Sequence, residues 1–175
     1  MKKLFLILGI GLFSVTAINA QETEMQKIEP TPDNSWFKLG LTAGLPVGDA
    51  KDVASFNAGL DVRAQYMVTP NLALGIASGY NHYFAKDDFD DFGMIPLAAY
   101  LRYYFTPSGI FIGGDVGYGF LTNVDDNQGG LYFSPQIGYH NHDWNIYGYY
   151  QHSNTDNDFK LQSVGLGVTY NIRFK

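Results

Sequence analysis

The chain contains no cysteine, which excludes both disulfides and thiolate metal sites. The same absence, behind the apolar run at the N-terminus, excludes an anchor attached to a lipid-modified cysteine. Past that first run, no stretch reaches the ~20 apolar residues that a membrane helix needs. Bases are scarce: 11 Lys and Arg face 17 Asp and Glu, a formal net charge of -6. An acidic balance argues against nucleic acid, whose phosphates are met by basic patches. Helix formers do not dominate. What is abundant is glycine, at 20 residues, with 13 Tyr and 13 Phe. That composition suits a β-barrel, in which only alternate residues meet an apolar surrounding.

The N-terminus reads as an export signal. Met1-Lys2-Lys3 is a basic start, Leu4 to Val15 is apolar, and Thr16 to Ala20 is small and polar enough to be cut. The run is too short and wrongly flanked to span a membrane. Residues 1–20 are therefore expected to be a cleaved signal peptide, leaving about 155 residues, one domain's worth. Residues 21–35 are polar, carry two prolines and show no periodicity. They are expected to form a flexible periplasmic lead-in to a barrel covering residues 36–175.

From Val164 to Phe174 the large residues Val164, Leu166, Val168, Tyr170, Ile172 and Phe174 alternate with Gly165, Gly167, Thr169, Asn171 and Arg173. A strand sends successive side chains to opposite faces. One face here suits hydrocarbon and the other a crowded polar interior, the dyad pattern of a transmembrane β-strand. Comparable alternation marks seven earlier segments: Trp36–Leu45, Ser55–Val68, Leu72–Tyr83, Met94–Phe105, Ile110–Leu121, Leu131–His140 and Trp144–His152. The last strand begins near Phe159. The glycines at 40, 44, 59, 75, 79, 113, 117, 119, 138, 165 and 167 all share the inward register. They are expected to make room for Tyr100, Tyr104, Tyr132, Tyr147, Tyr149 and Gln65 in a lumen that eight strands fill with side chains.

Thr69-Pro70-Asn71, Thr106 to Gly109 and Asn141-His142-Asp143 read as tight turns. Longer segments, Pro46–Ala54, Phe84–Gly93, Thr122–Gly130 and Ser153–Asp158, alternate with them. An even strand number puts both ends of the barrel chain on the short-turn side, which is periplasmic in outer-membrane barrels. The fold class expected is all-β, an eight-stranded antiparallel up-and-down transmembrane barrel. Trp36, Trp144, Tyr66, Tyr103 and Tyr139 at one end, and Tyr80, Tyr118 and Phe120 at the other, are read as two interfacial aromatic belts.

The chain resembles the small eight-stranded outer-membrane barrels of the OmpA/OmpX-like superfamily. The resemblance rests on Leu-Gly-Val-Thr-Tyr-Asn-Ile-Arg-Phe at the end, on Ala98 to Phe105 and on Gly113 to Phe120. It covers nearly all of the chain beyond the lead-in. It implies contact with outer-membrane lipids and lipopolysaccharide, and insertion by the barrel-assembly machinery, which reads a terminal aromatic. Phe174 is the matching residue, although Lys175 follows it. Members differ widely in function, and no peptidoglycan-binding pattern follows the barrel, so cell-wall tethering is not implied. A monomer without cofactor is expected.

Lys38, Asp61, Arg63, Arg102, Asp115 and Arg173 fall on the inward register. Buried charge without a partner is costly, so a paired network closing the lumen is expected. Asp61 neighbours Arg63 on one face, and Arg102 and Asp115 read as nearly opposite across the turn at Pro107. The rival is a narrow ion or water pathway. Ten of the 17 carboxylates fall in the longer loops, giving an acidic outer rim. Asp87, Asp88, Asp90 and Asp91 offer oxygen ligands to a divalent cation such as Ca²⁺, without EF-hand spacing. A solvated, solubilising rim is the preferred reading of them, with divalent bridging to lipopolysaccharide phosphates a further alternative. His82, His152 and Ser153 near that rim raise the lipid hydrolases found among such barrels, but no nucleophile motif surrounds Ser153. His140 and His142 could share a metal, yet two ligands are not a site, and they are read as interfacial histidines. The expectation is a non-enzymatic envelope protein with a structural or surface-interaction role. The alternatives are a narrow pore or a path for small apolar molecules.

Overall fold

Alternation of large apolar and small or polar residues gives each segment one face for lipid and one for the interior, and eight such segments close on themselves. In the computed structural model, which describes residues 35–86, 89–124, 129–155 and 159–173, the strands are β1 (Ser35–Val47), β2 (Ala54–Met67), β3 (Leu72–Ala85), β4 (Phe92–Tyr104), β5 (Gly109–Thr122), β6 (Gly129–His140), β7 (Trp144–Asn154) and β8 (Lys160–Arg173). Each pairs antiparallel with its chain neighbour, and β8 pairs with β1 from Val47↔Gln162 to Trp36↔Arg173 to close the barrel. Closure leaves no sheet edge unpaired, which a bilayer without hydrogen-bonding solvent demands.

The outward face is a continuous apolar coat. Leu41, Ile76, Leu97, Ile112, Leu131, Ile137, Ile146 and Leu166 are all exposed on it, an arrangement that only a lipid surrounding makes favourable. The expected signal peptide, residues 21–34 of the lead-in and Phe174 lie outside the described residues.

The turns at the short end are built by side chains. Thr69 Oγ1 accepts from the N–H groups of Asn71 and Leu72. Asn141 Oδ1 accepts from Asp143 N at 2.9 Å and Trp144 N at 2.8 Å, an Asx turn. At the other end the connections are shorter than the sequence suggested, because the strands run on past the expected limits. Five or six residues remain there, against three or four at the short end. Strands of 11 to 14 residues exceed the ~9–11 that cross a bilayer, so the barrel wall itself projects. The first of these loops holds a helical turn, α1 (Ala50–Val53), which alternation-based reading missed. Its Ala50 is fully buried beneath the rim.

One belt assignment is corrected. Trp36 alternates with Phe37 and Leu39, so it shares the inward face with Lys38. Its ring lies 5.8 Å from Lys38 Nζ and 5.5 Å from the Arg173 guanidinium, inside the short-turn mouth. Trp144 stays outward, edge-on to Tyr170.

Candidate functional site

The interior is stacked in three layers. Nearest the long loops is an apolar plug of Ala50, Ala54, Tyr83, Phe92, Met94, Ala98, Tyr132 and Leu161. Tyr83 and Phe92 stack at 4.9 Å, and Gln151 Nε2 donates to Tyr83 Oη at 2.6 Å. The plug was not foreseen. Its signal was present in β4, where Phe92 and Met94 continue the register of Tyr100 and Arg102.

Below it lies a carboxylate-paired layer. Arg63 Nε donates to Asp61 Oδ2 at 2.9 Å, and its two terminal nitrogens reach across the lumen to Asp115 at 2.7 and 3.0 Å. Bidentate arginine–carboxylate geometry of this kind is among the strongest polar contacts available. Tyr147 Oη donates to Asp61, and Gln136 Nε2 donates to Asp115 Oδ2 at 2.8 Å. Both buried acids are therefore held by one arginine. Beside this layer a cavity of about 30 Å³ remains, room for about one water.

The third layer faces the short turns and is built differently. Arg102, fully enclosed, donates to Gln136 Oε1 at 3.0 Å and Asn145 Oδ1 at 3.3 Å, and stacks 4.0 Å above the Phe111 ring. Arg102 and Asp115 are not opposite each other: the register sets Arg102 against Gly113 and Asp115 against Tyr100. Arg102 meets Asp115 only through the amide of Gln136. Lys38, 1% exposed, donates to Asn145 Oδ1 at 3.0 Å and Asn171 Oδ1 at 2.8 Å. Arg173 lies exposed at the rim of this end and donates to the His142 backbone oxygen. The chain's three arginines thus all occupy the inward register.

Glycine makes this filling sterically feasible. Gly167 and Gly165 of β8 lie in register with Tyr147 and Tyr149 of β7. A Cβ on Gly165 would come within 2.6 Å of the Tyr149 phenol, and one on Gly167 would enter the Tyr147 ring. Gly75 opposes Tyr100 and Gly117 opposes Tyr132 in the same manner.

At the rim, Asp91 accepts from Ala85 N at 2.7 Å and contacts His82 Nε2 at 3.1 Å. The Ala85 N–H, and then His82, hold its carboxyl below the usual carboxylate range. Asp90 is exposed; Asp87 and Asp88 lie outside the described residues. Among the described residues no group of three metal-ligating side chains forms. Ser153 and His152 do not meet. Adjacent strand residues face opposite ways, so Ser153 is buried with Oγ toward the Gly130 oxygen, while His152 contacts Gln162 and Asn154. His140 and His142 part as well. His140 packs inside against Tyr104 at 4.4 Å and contacts the Thr106 oxygen, whereas His142 is exposed beside Asp143. His140 is therefore a mouth residue and not an interfacial one.

A family model described as the outer membrane protein beta-barrel domain matches residues 5–171. No curated protein matches the sequence. Among solved structures, Ail, the attachment invasion locus protein of Yersinia pestis, is similar with a TM-score of 0.58 and 14% identity, over 79% of this chain and 98% of that one. The same protein in complex with the heparin analogue sucrose octasulfate gives 0.55 and 16%, over 79% and 98%. In a phospholipid bilayer nanodisc it gives 0.54 and 14%, over 79% and 99%. At such identities the likeness is one of fold.

Proposed function

The chain belongs to the outer membrane protein beta-barrel domain family, and on that premise we propose that it is a non-conducting envelope barrel whose working surface is its acidic rim. The observation that supports this most is the contact of Arg63 with Asp115 across the lumen, continued through Gln136 to Arg102. With the apolar plug above, it leaves no wide path. In planar bilayers the expected result is no conductance step above the bare-membrane background. Steps of hundreds of picosiemens would overturn the sealed-barrel reading and favour the narrow pore.

The rim then carries the interaction. Ten loop carboxylates at one end repel phosphate and sulfate, so contact with lipopolysaccharide phosphates needs a bridging divalent cation. Binding of lipopolysaccharide vesicles is expected in millimolar Mg²⁺ or Ca²⁺ and lost in chelator. Binding that survives chelator would sink this part. The opposed orientation of His152 and Ser153 supports a role without hydrolysis; envelope lipid profiles are expected to be unchanged in Ser153→Ala.

Residues 1–20 are removed and 21–35 lead in from the periplasm, so the mature mass is expected to start at Gln21. Phe174 serves as the assembly signal for the barrel-assembly machinery, and the barrel is a monomer. Deleting Phe174 is expected to slow insertion without altering the folded wall.

A further inference from the structure

The interior charges do not balance from layer to layer. Arg63 engages both buried carboxylates, Asp61 and Asp115. Among the described residues, Lys38, Arg102 and Arg173 have no carboxylate partner. Their contacts are amide oxygens, a backbone oxygen and aromatic faces. Amides and π-faces solvate a cation without cancelling its charge; against these three cations the described residues of the short turns offer one carboxylate, the exposed Asp143 beside His142, so a net positive field collects at the short-turn end.

That field opens on a cavity of about 280 Å³, whose walls include Trp36, Lys38, His140, Asn171 and Arg173 and, among the described residues, carry no Asp or Glu side chain. Two donors there are unused. Trp36 Nε1 is buried with no acceptor among the described residues. Lys38 Nζ has three N–H groups, and two are spent on Asn145 and Asn171. A buried indole N–H normally finds an acceptor. What would satisfy these donors and offset the charge together is an oxyanion.

We propose that this mouth is an anion-binding site for a carboxylate or phosphate group, held by Lys38 and Arg173 and by the Trp36 indole N–H. The volume suits a small oxyanion or a single acidic side chain and is too small for a whole lipid. Two sources share the chemistry. One is a free anion in the surrounding compartment. The other is the chain itself: all three of its glutamates, Glu22, Glu24 and Glu29, and also Asp33, lie just before β1, against Lys27 alone between residues 21 and 34. Asp33 is two residues from Ser35, where β1 enters this mouth. Tethering would give such a carboxylate a high effective concentration.

The chain's two tryptophans supply the test, since Trp36 lines the cavity and Trp144 faces outward. The barrel with residues 21–34 retained is refolded in zwitterionic detergent, and its two ¹⁵N indole signals are followed during titration with inorganic phosphate at constant ionic strength. The expected result, in this preparation or once the lead-in carboxylates are neutralised, is a saturable shift of Trp36 with Trp144 still. Arg173→Gln, at an exposed position that leaves the fold intact, and Lys38→Met are each expected to weaken binding about tenfold, the order of one charge-assisted hydrogen bond. A second preparation neutralises the lead-in: Glu22→Gln, Glu24→Gln, Glu29→Gln and Asp33→Asn. If Trp36 moves on neutralisation and only then responds to phosphate, the chain's own carboxylates occupy the site. If both preparations respond alike, the ligand is a free anion. The proposal is overturned if Trp36 is unresponsive in both, if Trp144 shifts in parallel, or if neither Arg173→Gln nor Lys38→Met alters the response.

Discussion

Arg63 and Arg102 are both buried arginines in one narrow barrel, yet Arg63 lies between two carboxylates and Arg102 touches none. The first is an ion cluster whose members depend on one another. The second is a cation solvated by Gln136, Asn145 and the Phe111 ring. In the first layer, charge is cancelled and the lumen is tied across. In the second, charge is only made tolerable and remains free to act on something else. Position along the barrel axis decides which: the tied layer is central, and the uncancelled one lies toward the short-turn mouth, whose cavity Lys38 and Arg173 line and from which Arg102 is enclosed.

The largest effect should come from breaking the tied layer. Asp115→Ala leaves Arg63 short of its bidentate partner and Gln136 without its acceptor, and should cost about 3–5 kcal/mol. Denaturant unfolding in lipid vesicles, read by gel mobility of the folded barrel, measures it. Arg102→Met leaves only amide oxygens behind and should cost less, about 1–3 kcal/mol. Equal or reversed costs would erase the distinction between the layers.

Crowding offers a sharper contrast. Gly167→Ala drives a methyl into the Tyr147 ring, disturbing the residue that donates to Asp61, and should cost about 1–3 kcal/mol. Gly148→Ala, on the outward face with its nearest neighbour at 3.9 Å, should be neutral or slightly stabilising. The two variants differ by the same single methyl, so unfolding midpoints compare the faces directly.

Smaller changes test the two ends. Asn141→Ala removes the acceptor of two turn N–H groups and should lower stability by about 0.5–1.5 kcal/mol, with slower closure of the β6–β7 turn on refolding. At the rim, Asp91 is held below the ordinary carboxylate range. Its contribution is therefore complete above the ordinary value of 3.8 and disappears as pH falls through the still lower folded-state value. Loss of ordered structure around Ala85 only in strong acid, absent in Asp91→Asn, is the expected observation by NMR.

Much of the wall could be read from the chain because its rule is local. A period of two assigns every residue a face, and the lipid outside and crowded lumen inside then demand different chemistry of the two faces. The inward glycines indicated that lumenal tyrosines would fit against them; that Gly165 takes Tyr149 and Gly167 takes Tyr147 came from the strand register. Trp36 was misassigned to a belt because its residue type outweighed its parity with Lys38. The plug of Tyr83, Phe92 and Met94 was missed because the inward face was expected to be polar to its end, and strand ends are where local patterns fade.

By itself, then, the sequence determined the strand count, the closed antiparallel order, the inward and outward faces and the set of charges that must share the lumen. Which charges meet was decided only when the barrel closed. Asp115 finds Arg63, 52 residues away along the chain, because barrel curvature and the residue-by-residue register bring β2 and β5 side chains to one height across the lumen. Spacing along a strand cannot encode that distance. The uncancelled positive mouth has the same origin: it exists because one arginine claims both acids.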